Sequence, residues 1–437
     1  MAKVSNIFKG DRVIWAIFFF LCAISLVEVF SAASTLTYKS GSFWMPMFKQ
    51  ALFLGLGTAI VIAFQMIQPR FFQVIPVIGL PITLILLIFS FFLGASTNDA
   101  QRWVDVGFIQ FQPSELAKCV MVLTTALILS RLQRDDGADP KAIKYILLLT
   151  GFIELFIFTE NLSTAALLFA VIFLMMYIGR VPFRQLGSLL GVFAIIIALI
   201  LLVVALSPSS TSPDDSGVLH RFSTWKARIT KHFGDDKQLA PEDFDIDKDA
   251  QVAHANIAIA SSNVVGKLPG NSIQRDFLSQ AYSDFIYAII IEELGIWGGA
   301  IVVILYIWLL FRAGRIASRC RDMQRTPTHS RYFYALTVMG AALMLVLQAL
   351  FNMLVAVGIA PVTGQPLPLI SRGGTSTLIN CFYIGIILSI SRLVVRRTKV
   401  KTATERAANP KDATTNEEEA IVADEEVQIA TEKLTFI

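Results

Sequence analysis

The sequence predicts an all-α polytopic membrane protein of about ten transmembrane helices, with a large loop outside the membrane between the seventh and the eighth. Three observations predict it. The chain is 55% hydrophobic and 16% charged with a mean hydropathy of +0.63, too apolar for the surface of a water-soluble globule. Apolar runs recur along most of it, each near the roughly 20 residues that a helix needs to cross a ~30 Å hydrocarbon core. Lysine and arginine gather in alternate connections, as short cytoplasmic loops require.

In chain order the runs fall near 13–33, 51–66, 72–95, 113–132, 145–158, 163–179, 187–206, 284–311, 333–357 and 378–395. Lys3, Lys9 and Arg12 precede the first. Arg131, Arg134, Lys141 and Lys144 lie between the fourth and fifth, and Arg312, Arg315, Arg319, Arg321 and Arg325 follow the eighth. Alternation then places both termini in the cytoplasm and the loops 96–112, 207–283 and 358–377 outside. Long loops cross regardless of charge, so the mixed charge of 207–283 is compatible with this. The first run leads into Ser31-Ala32-Ala33-Ser34, like a cleaved signal, but it exceeds a ~7–15 residue signal core, and a retained anchor is expected. The net charge of +4 reflects this topology and gives no reason to expect nucleic acid. Cys22, Cys119, Cys320 and Cys381 include no CxxC pair and no partner in the outside loops, so neither a disulfide nor a thiolate metal site is expected.

Residues 1–395 thus form one membrane domain carrying the 207–283 insertion, and 396–437 a tail. The insertion opens with SPSSTSPDDSG, too polar and turn-rich to pack alone. Its apolar, Ala-rich stretch 251–265 predicts a short amphipathic or re-entrant helix at the outer surface. The tail runs from RRTKVK to NEEEAIVADEE with almost no aromatic residues, which predicts disorder.

Ionisable groups beside membrane spans are costly, so each is a functional candidate. In FQPSELAK, Pro113 suits the first helical position and Glu115 the first turn, where the helix dipole favours a carboxylate. Lys118 stands three residues on and shares its face, so the two can form a structural pair, line a site, or do both. In QAYSDFIYAIIIEELG, Ser283 reads as a helix cap and Asp284 as the first helical residue, either complementing the dipole or accepting a proton from a hydroxyl. Glu292 and Glu293 lie ~12 Å further along and are expected to pair with a neighbouring helix. GIAPVTGQPLPLISRGGTS cannot be regular helix, so it must be buried in protein or line a polar cavity. Arg372 beside Gly373 and Gly374 suits a phosphate. Arg102-Trp103 and Arg221 to Trp225 set cations beside aromatics on the same side, a pattern that interfacial anchoring also explains.

At these residues the chain resembles the SEDS family of cell-wall polymerases. RWVDVGFIQFQPSELAK, GNSIQR, SDFIYAIIIEELG and PVTGQPLPLISRGGTS match its signatures in order and spacing across nearly the whole membrane domain. The resemblance implies a ten-helix fold in the cytoplasmic (inner) membrane and polymerisation of lipid II into glycan strands on its outer face. It serves division or cell shape, the division branch being favoured. It implies an acid opening the helix after the large loop, here Asp284, as catalytic base. It carries Arg102, Glu115, Lys118, Ser272, Gln274, Arg275 and Arg372 into substrate binding, Arg275 standing where the family has Lys. It further implies a divalent cation, Mg²⁺ or Mn²⁺, with Asp284 or Glu115 as possible ligands, no organic cofactor, and a class B penicillin-binding transpeptidase as partner. The chain departs from the family's QPDLGT at Thr159 to Thr164, where Asn161 replaces the acid, and from its LPE and SYGG at Leu278 to Gln280 and Ser371 to Gly374. A lipid II flippase would need a cavity reaching both faces and paired broken helices. A non-catalytic scaffold would not need Asp284.

Overall fold

The computed structural model describes residues 8–32, 44–93, 95–97, 100–106, 109–135, 137–206, 246–278, 281–323 and 326–408. Among these the helices, in order, are α1 Arg12–Ala32, α2 Met45–Met66, α3 Ile75–Leu93, α4 Pro113–Arg131, α5 Pro140–Glu160, α6 Leu162–Ile178, α7 Phe183–Leu206, α8 Ile246–Ala260, α9 Ile286–Arg321, α10 Thr328–Ala356 and α11 Thr375–Ala408. The ten expected spans correspond one by one to α1–α7 and α9–α11. Seven of them are long and apolar enough to cross a membrane by length and composition alone. Of the others, α6 and the first part of α7 are shorter apolar helices, and α5 carries Lys141, Lys144 and Glu154.

Three boundaries differ from expectation. The helix of the large loop starts at Ile246 rather than 251, because no Gly or Pro interrupts the chain from there to Ala260. The last helix runs on to Ala408, through the first part of the segment expected to be disordered. Helix-forming Arg, Lys, Ala and Glu continue it without a Gly or Pro until Pro410, and its basic residues suit a C-terminal end. The segment before α4 holds three short antiparallel strands, β1 Ala95–Thr97, β2 Ala100–Val106 and β3 Ile109–Phe111, with Ser96 opposite Gln101 and Asp105 opposite Gln110. The alternation of Gln101-Arg102-Trp103-Val104-Asp105-Val106 permits this. The first half of the large loop, with Arg221 to Trp225, and the tail beyond 408 lie outside the described residues.

The end of the bundle where α1 finishes and α4 begins is here termed upper, and the opposite end lower. The most enclosed helix is α4: 83% of its apolar window is buried, against 22% in α2 and in α3. It packs against α10, which in turn lies against α9 and α6. At the lower end Asp11 caps α1, accepting from Val13 N at 2.9 Å, pairs with Arg312 Nε of α9 at 2.7 Å, and donates its own N–H to Ser391 of α11 at 2.8 Å. One acid therefore ties three helices together.

Where helices cross most closely, glycine makes room, as close packing in lipid requires. A Cβ on Gly57 of α2 would overlap Cys381 Sγ of α11, whereas one on Gly55, two residues earlier, would meet nothing within 4 Å. Gly57→Ala should therefore lower thermal stability by about 1–3 kcal/mol, and Gly55→Ala should not. Adding Cys381→Ala should restore most of the loss, since the Cys381 Cβ lies 3.3 Å from the added carbon. Thermal unfolding of the three variants and the unsubstituted protein in detergent checks this.

Candidate active site

The site begins with an interruption in α9. Gly295 has φ 73° and ψ −174°, a backbone conformation that breaks the helix into a short upper arm, 286–294, and a long lower one. Asp284 stands immediately before the short arm. It is not the first helical residue and Ser283 is not the cap: the cap position is Phe285, and the Ser283 hydroxyl turns to Asp284 Oδ1 at 3.0 Å.

Three successive carbonyls before this arm are each held by a different donor. Tyr282 O accepts from Arg372 N at 3.0 Å, Ser283 O from Ser371 Oγ at 2.7 Å, and Asp284 O from Asn352 Nδ2 at 2.8 Å. The backbone that carries the Asp284 carboxylate is thereby fixed to α10 and to the 358–374 loop. On the carboxylate's other side a Cβ built on Gly364 would come within 3.6 Å of Oδ2, so the loop backbone lies beside it. The Arg372 guanidinium sits over the Tyr282 ring at 5.5 Å, and burial lowers its pKa while Tyr282 raises it. Arginine stays charged through shifts of this kind. Asp284, Arg372 and the glycine- and proline-rich loop, separated in sequence, thus form one surface.

The 358–374 loop is irregular backbone inside a helical bundle, and its carbonyls are met one by one. Gln365 O accepts from Asn352 Nδ2 at 2.8 Å, Pro366 O from Gln348 Nε2 at 3.1 Å, Pro368 O from Tyr306 OH, and Ile370 O from Ser25 Oγ at 2.7 Å. Gln365 Nε2 donates to Thr164 Oγ1 of α6 at 2.7 Å. Gln348 and Asn352 stand four residues apart on one face of α10, a polar pair in an apolar span. That was the available sequence signal for this wall of the site.

Glu115 and Lys118 pair as expected, at 2.8 Å and almost wholly buried. Lys118 Nζ also donates to Gln348 Oε1 at 3.1 Å, and Ser376 Oγ to Glu115 Oε2 at 3.4 Å. The pair therefore braces α4 against α10 and α11 behind the loop. A lysine 1% exposed and donating to two acceptors has its charge engaged within the bundle. Asn161, where the family has an acid, caps α6 by accepting from Ser163 N at 3.0 Å and Thr164 N at 3.4 Å. An Asn does that work as well as an Asp.

Ser272, Gln274 and Arg275 lie at the far end of the short arm, not beside Asp284. There Glu292 takes Lys267 Nζ at 2.7 Å, the Ser272 hydroxyl and Ile273 N at 3.2 Å. Glu293 takes the Ser31 hydroxyl and Ser272 N at 3.2 Å. Arg275 Nη1 donates to Ser31 O at 3.2 Å, and Gln274 Oε1 contacts His254 Nδ1 of α8 at 2.7 Å. Lys267 N and Leu268 N close on the carbonyls of Glu292 and Glu293 at 3.0 and 2.7 Å. The two glutamates thus bind the end of the large loop to the short arm, and Glu293 also meets α1 through Ser31. Arg102 is on β2; its side chain lies outside what the structure describes.

As for a metal, no group of three or more His, Cys, Asp or Glu among the described residues could hold one. Both Glu115 oxygens are engaged, by Lys118 and Ser376, which leaves Asp284 as the carboxylate of the pair considered that lies at the surface of the site.

Comparison with known proteins bears on the family and the fold. A family model described as a cell cycle protein, FTSW_RODA_SPOVE, matches residues 11–395. The chain is 30% identical over 356 residues to the probable peptidoglycan glycosyltransferase FtsW of Nitrosococcus halophilus, covering 79% of this chain and 82% of that one. It is 29% identical to the peptidoglycan glycosyltransferase MrdB of Escherichia coli, with 77% and 83% covered. It shares its fold with a chain of a structure reported as structural coordination of polymerization and crosslinking by a peptidoglycan synthase complex (TM-score 0.66, 23% identity, 88% of this chain and 98% of that chain).

Losing one member of the buried Glu115–Lys118 pair should cost about 3–5 kcal/mol, since the other charge stays buried. Lys118→Met and Glu115→Gln should each lower the unfolding temperature sharply, and the double variant by clearly less than the sum. Additive losses in thermal unfolding would show that the two act separately.

Proposed function

The chain belongs to the FTSW_RODA_SPOVE family of cell cycle proteins, and on that premise we propose that it is a peptidoglycan glycosyltransferase polymerising lipid II on the outer face of the cytoplasmic membrane. The observation that carries this is the fixing of Asp284 by three consecutive carbonyls against the loop that bears Arg372. A carboxylate anchored in that way at a non-helical turn is suited to take a proton from a bound hydroxyl in a defined position.

In the proposed reaction the 4-hydroxyl of an acceptor GlcNAc attacks the anomeric carbon of a donor MurNAc, inverting it. The new glycosidic bond forms as the bond to the polyprenyl pyrophosphate breaks. The hydroxyl proton passes to Asp284, and the pyrophosphate leaves with the bonding electrons. Arg372 would meet it; its guanidinium, held over Tyr282 and in no ion pair among the described residues, supports that role. A divalent cation would supply further charge neutralisation. Among the described residues the donor set around Asp284 does not form a resident cage, so such an ion would be carried chiefly by substrate phosphates. The Glu115–Lys118 pair supports the loop from behind.

Several features favour the upper end of the bundle as the outward one. The basic connections cluster at the lower end, and the large loop, the strands and the re-entrant loop all stand at the upper end. Non-helical backbone within a helix among the described residues occurs at Gly295, on the upper side, without the paired break that a flippase would need. A single-pass transpeptidase is the proposed partner, in keeping with the synthase complex that contains the chain of similar fold.

Asp284→Asn should reduce lipid II polymerisation by purified protein with its partner by at least ~10²-fold while leaving thermal unfolding unchanged. Near-normal glycan synthesis by the folded Asn variant would rule out the general base and favour a scaffold or a flippase.

Orientation has its own test in a background lacking the four native cysteines. Cysteine at exposed Asn271 should react with a membrane-impermeant thiol reagent in intact cells, and cysteine at exposed Arg184 only after lysis. The reverse pattern would exclude an outward-facing polymerase.

A further inference from the structure

At the lower end of α9, far from Asp284, a groove of about 560 Å³ is lined among the described residues by Leu310, Phe311, Gly314, Arg315, Ser318 and Arg319. A second hollow of about 370 Å³ shares Phe311 and Arg315 and extends past Trp308 to Ile304. Gly314 helps to open the groove, since a Cβ there would meet nothing within 4 Å. The three arginines of this stretch are not equivalent. Arg312 is neutralised by Asp11 at 2.7 Å. Arg315 and Arg319 are exposed and have no ion pair or hydrogen bond among the described residues. Four residues apart, they share one helix face about 6 Å from each other, and two uncompensated like charges at that spacing favour a bound anion.

We propose that this groove binds an anionic phospholipid. Its phosphate would lie on Arg315 and Arg319 with the Ser318 hydroxyl as a further donor, and its acyl chains along Phe311, Trp308 and Ile304. The order of the side chains carries the assignment: cations at the end of the helix, then an exposed apolar stripe (Phe311 71%, Trp308 52%, Ile304 57% exposed) running toward the middle of the bundle. A free phosphate would use the cations and leave the stripe bare. A partner helix would cover the stripe and need an acid of its own to meet both arginines. The charge bias that sets topology requires arginines at this end, but it requires neither a shared face nor a groove.

The test is lipid retention by the full chain, reconstituted in nanodiscs of mixed phosphatidylglycerol and phosphatidylcholine, re-extracted and weighed by native mass spectrometry. Arg315→Gln and Arg319→Gln should each lower phosphatidylglycerol retention about fivefold, and together ~25-fold, with phosphatidylcholine unchanged. Arg184→Gln, an exposed arginine at the same end on α7, should have no effect, and thermal unfolding in detergent should match across all four proteins. Full retention by the double variant, or an equal loss in Arg184→Gln, would overturn the site. Release of phosphatidylglycerol by millimolar inorganic phosphate would also overturn it, marking a free-anion site instead.

Discussion

A run of irregular backbone buried where water cannot reach it is the constraint on which this structure turns. From Gln365 to Ile370 the chain cannot form helix, and in a membrane each unpaired carbonyl would cost several kcal/mol. Three helices lend four side chains to prevent this: Ser25 from α1, Tyr306 from α9, and Gln348 and Asn352 from α10. Those polar residues sit in spans where apolar ones would serve lipid better. Their presence is explained by the loop they hold.

Because the donors belong to the bundle, the loop is held as firmly as the helices are. It passes that rigidity to Asp284 through Ser371 and Arg372 N, while Asn352 holds both Gln365 O and Asp284 O. Leu369 keeps a positive φ of 65° at a buried position, a strain of order 1–3 kcal/mol that only an over-determined surrounding sustains. The short arm of α9 is gripped at its other end by the large loop, through Glu292 and Glu293. An element that leads into the site is thus fixed at both ends. The proposed chemistry needs this, because a proton acceptor is useful only where a hydroxyl can be brought to it repeatedly in one geometry.

Hydropathy and charge made the spans and their order legible, since each span is a local property of some 20 residues. The Glu115–Lys118 pair was legible for the same reason, being three residues apart on one helix. Glu293 does meet a neighbouring helix as expected, at Ser31 of α1, but the hold of Glu292 and Glu293 on the large loop was not legible. Counting along an unbroken helix put them deep, because nothing in EELG announces that Gly295 adopts positive φ and ends the arm there. The grouping of Ser272, Gln274 and Arg275 with the glutamates instead of with Asp284 follows from that kink. The strands before α4 escaped notice because they are three to seven residues long and lie next to much stronger apolar signals.

The disposition of charge shows why the motif residues divide into two kinds. In a medium of low dielectric an ion is tolerated when its partner is close, and most ions here are closed locally: Glu115 with Lys118, Glu292 with Lys267, Asp11 with Arg312. Each closed pair joins two or more elements and has its charge engaged within the protein. Arg372 is the exception among the candidate cations with described side chains, stacked on an aromatic ring instead of neutralised by a carboxylate. An arginine in no ion pair among the described residues, beside the turn that carries Asp284, sets a cation next to the proposed proton acceptor. A reaction that releases a pyrophosphate while deprotonating a hydroxyl calls for that pairing, whereas a scaffold would gain nothing from keeping the charge unpaired.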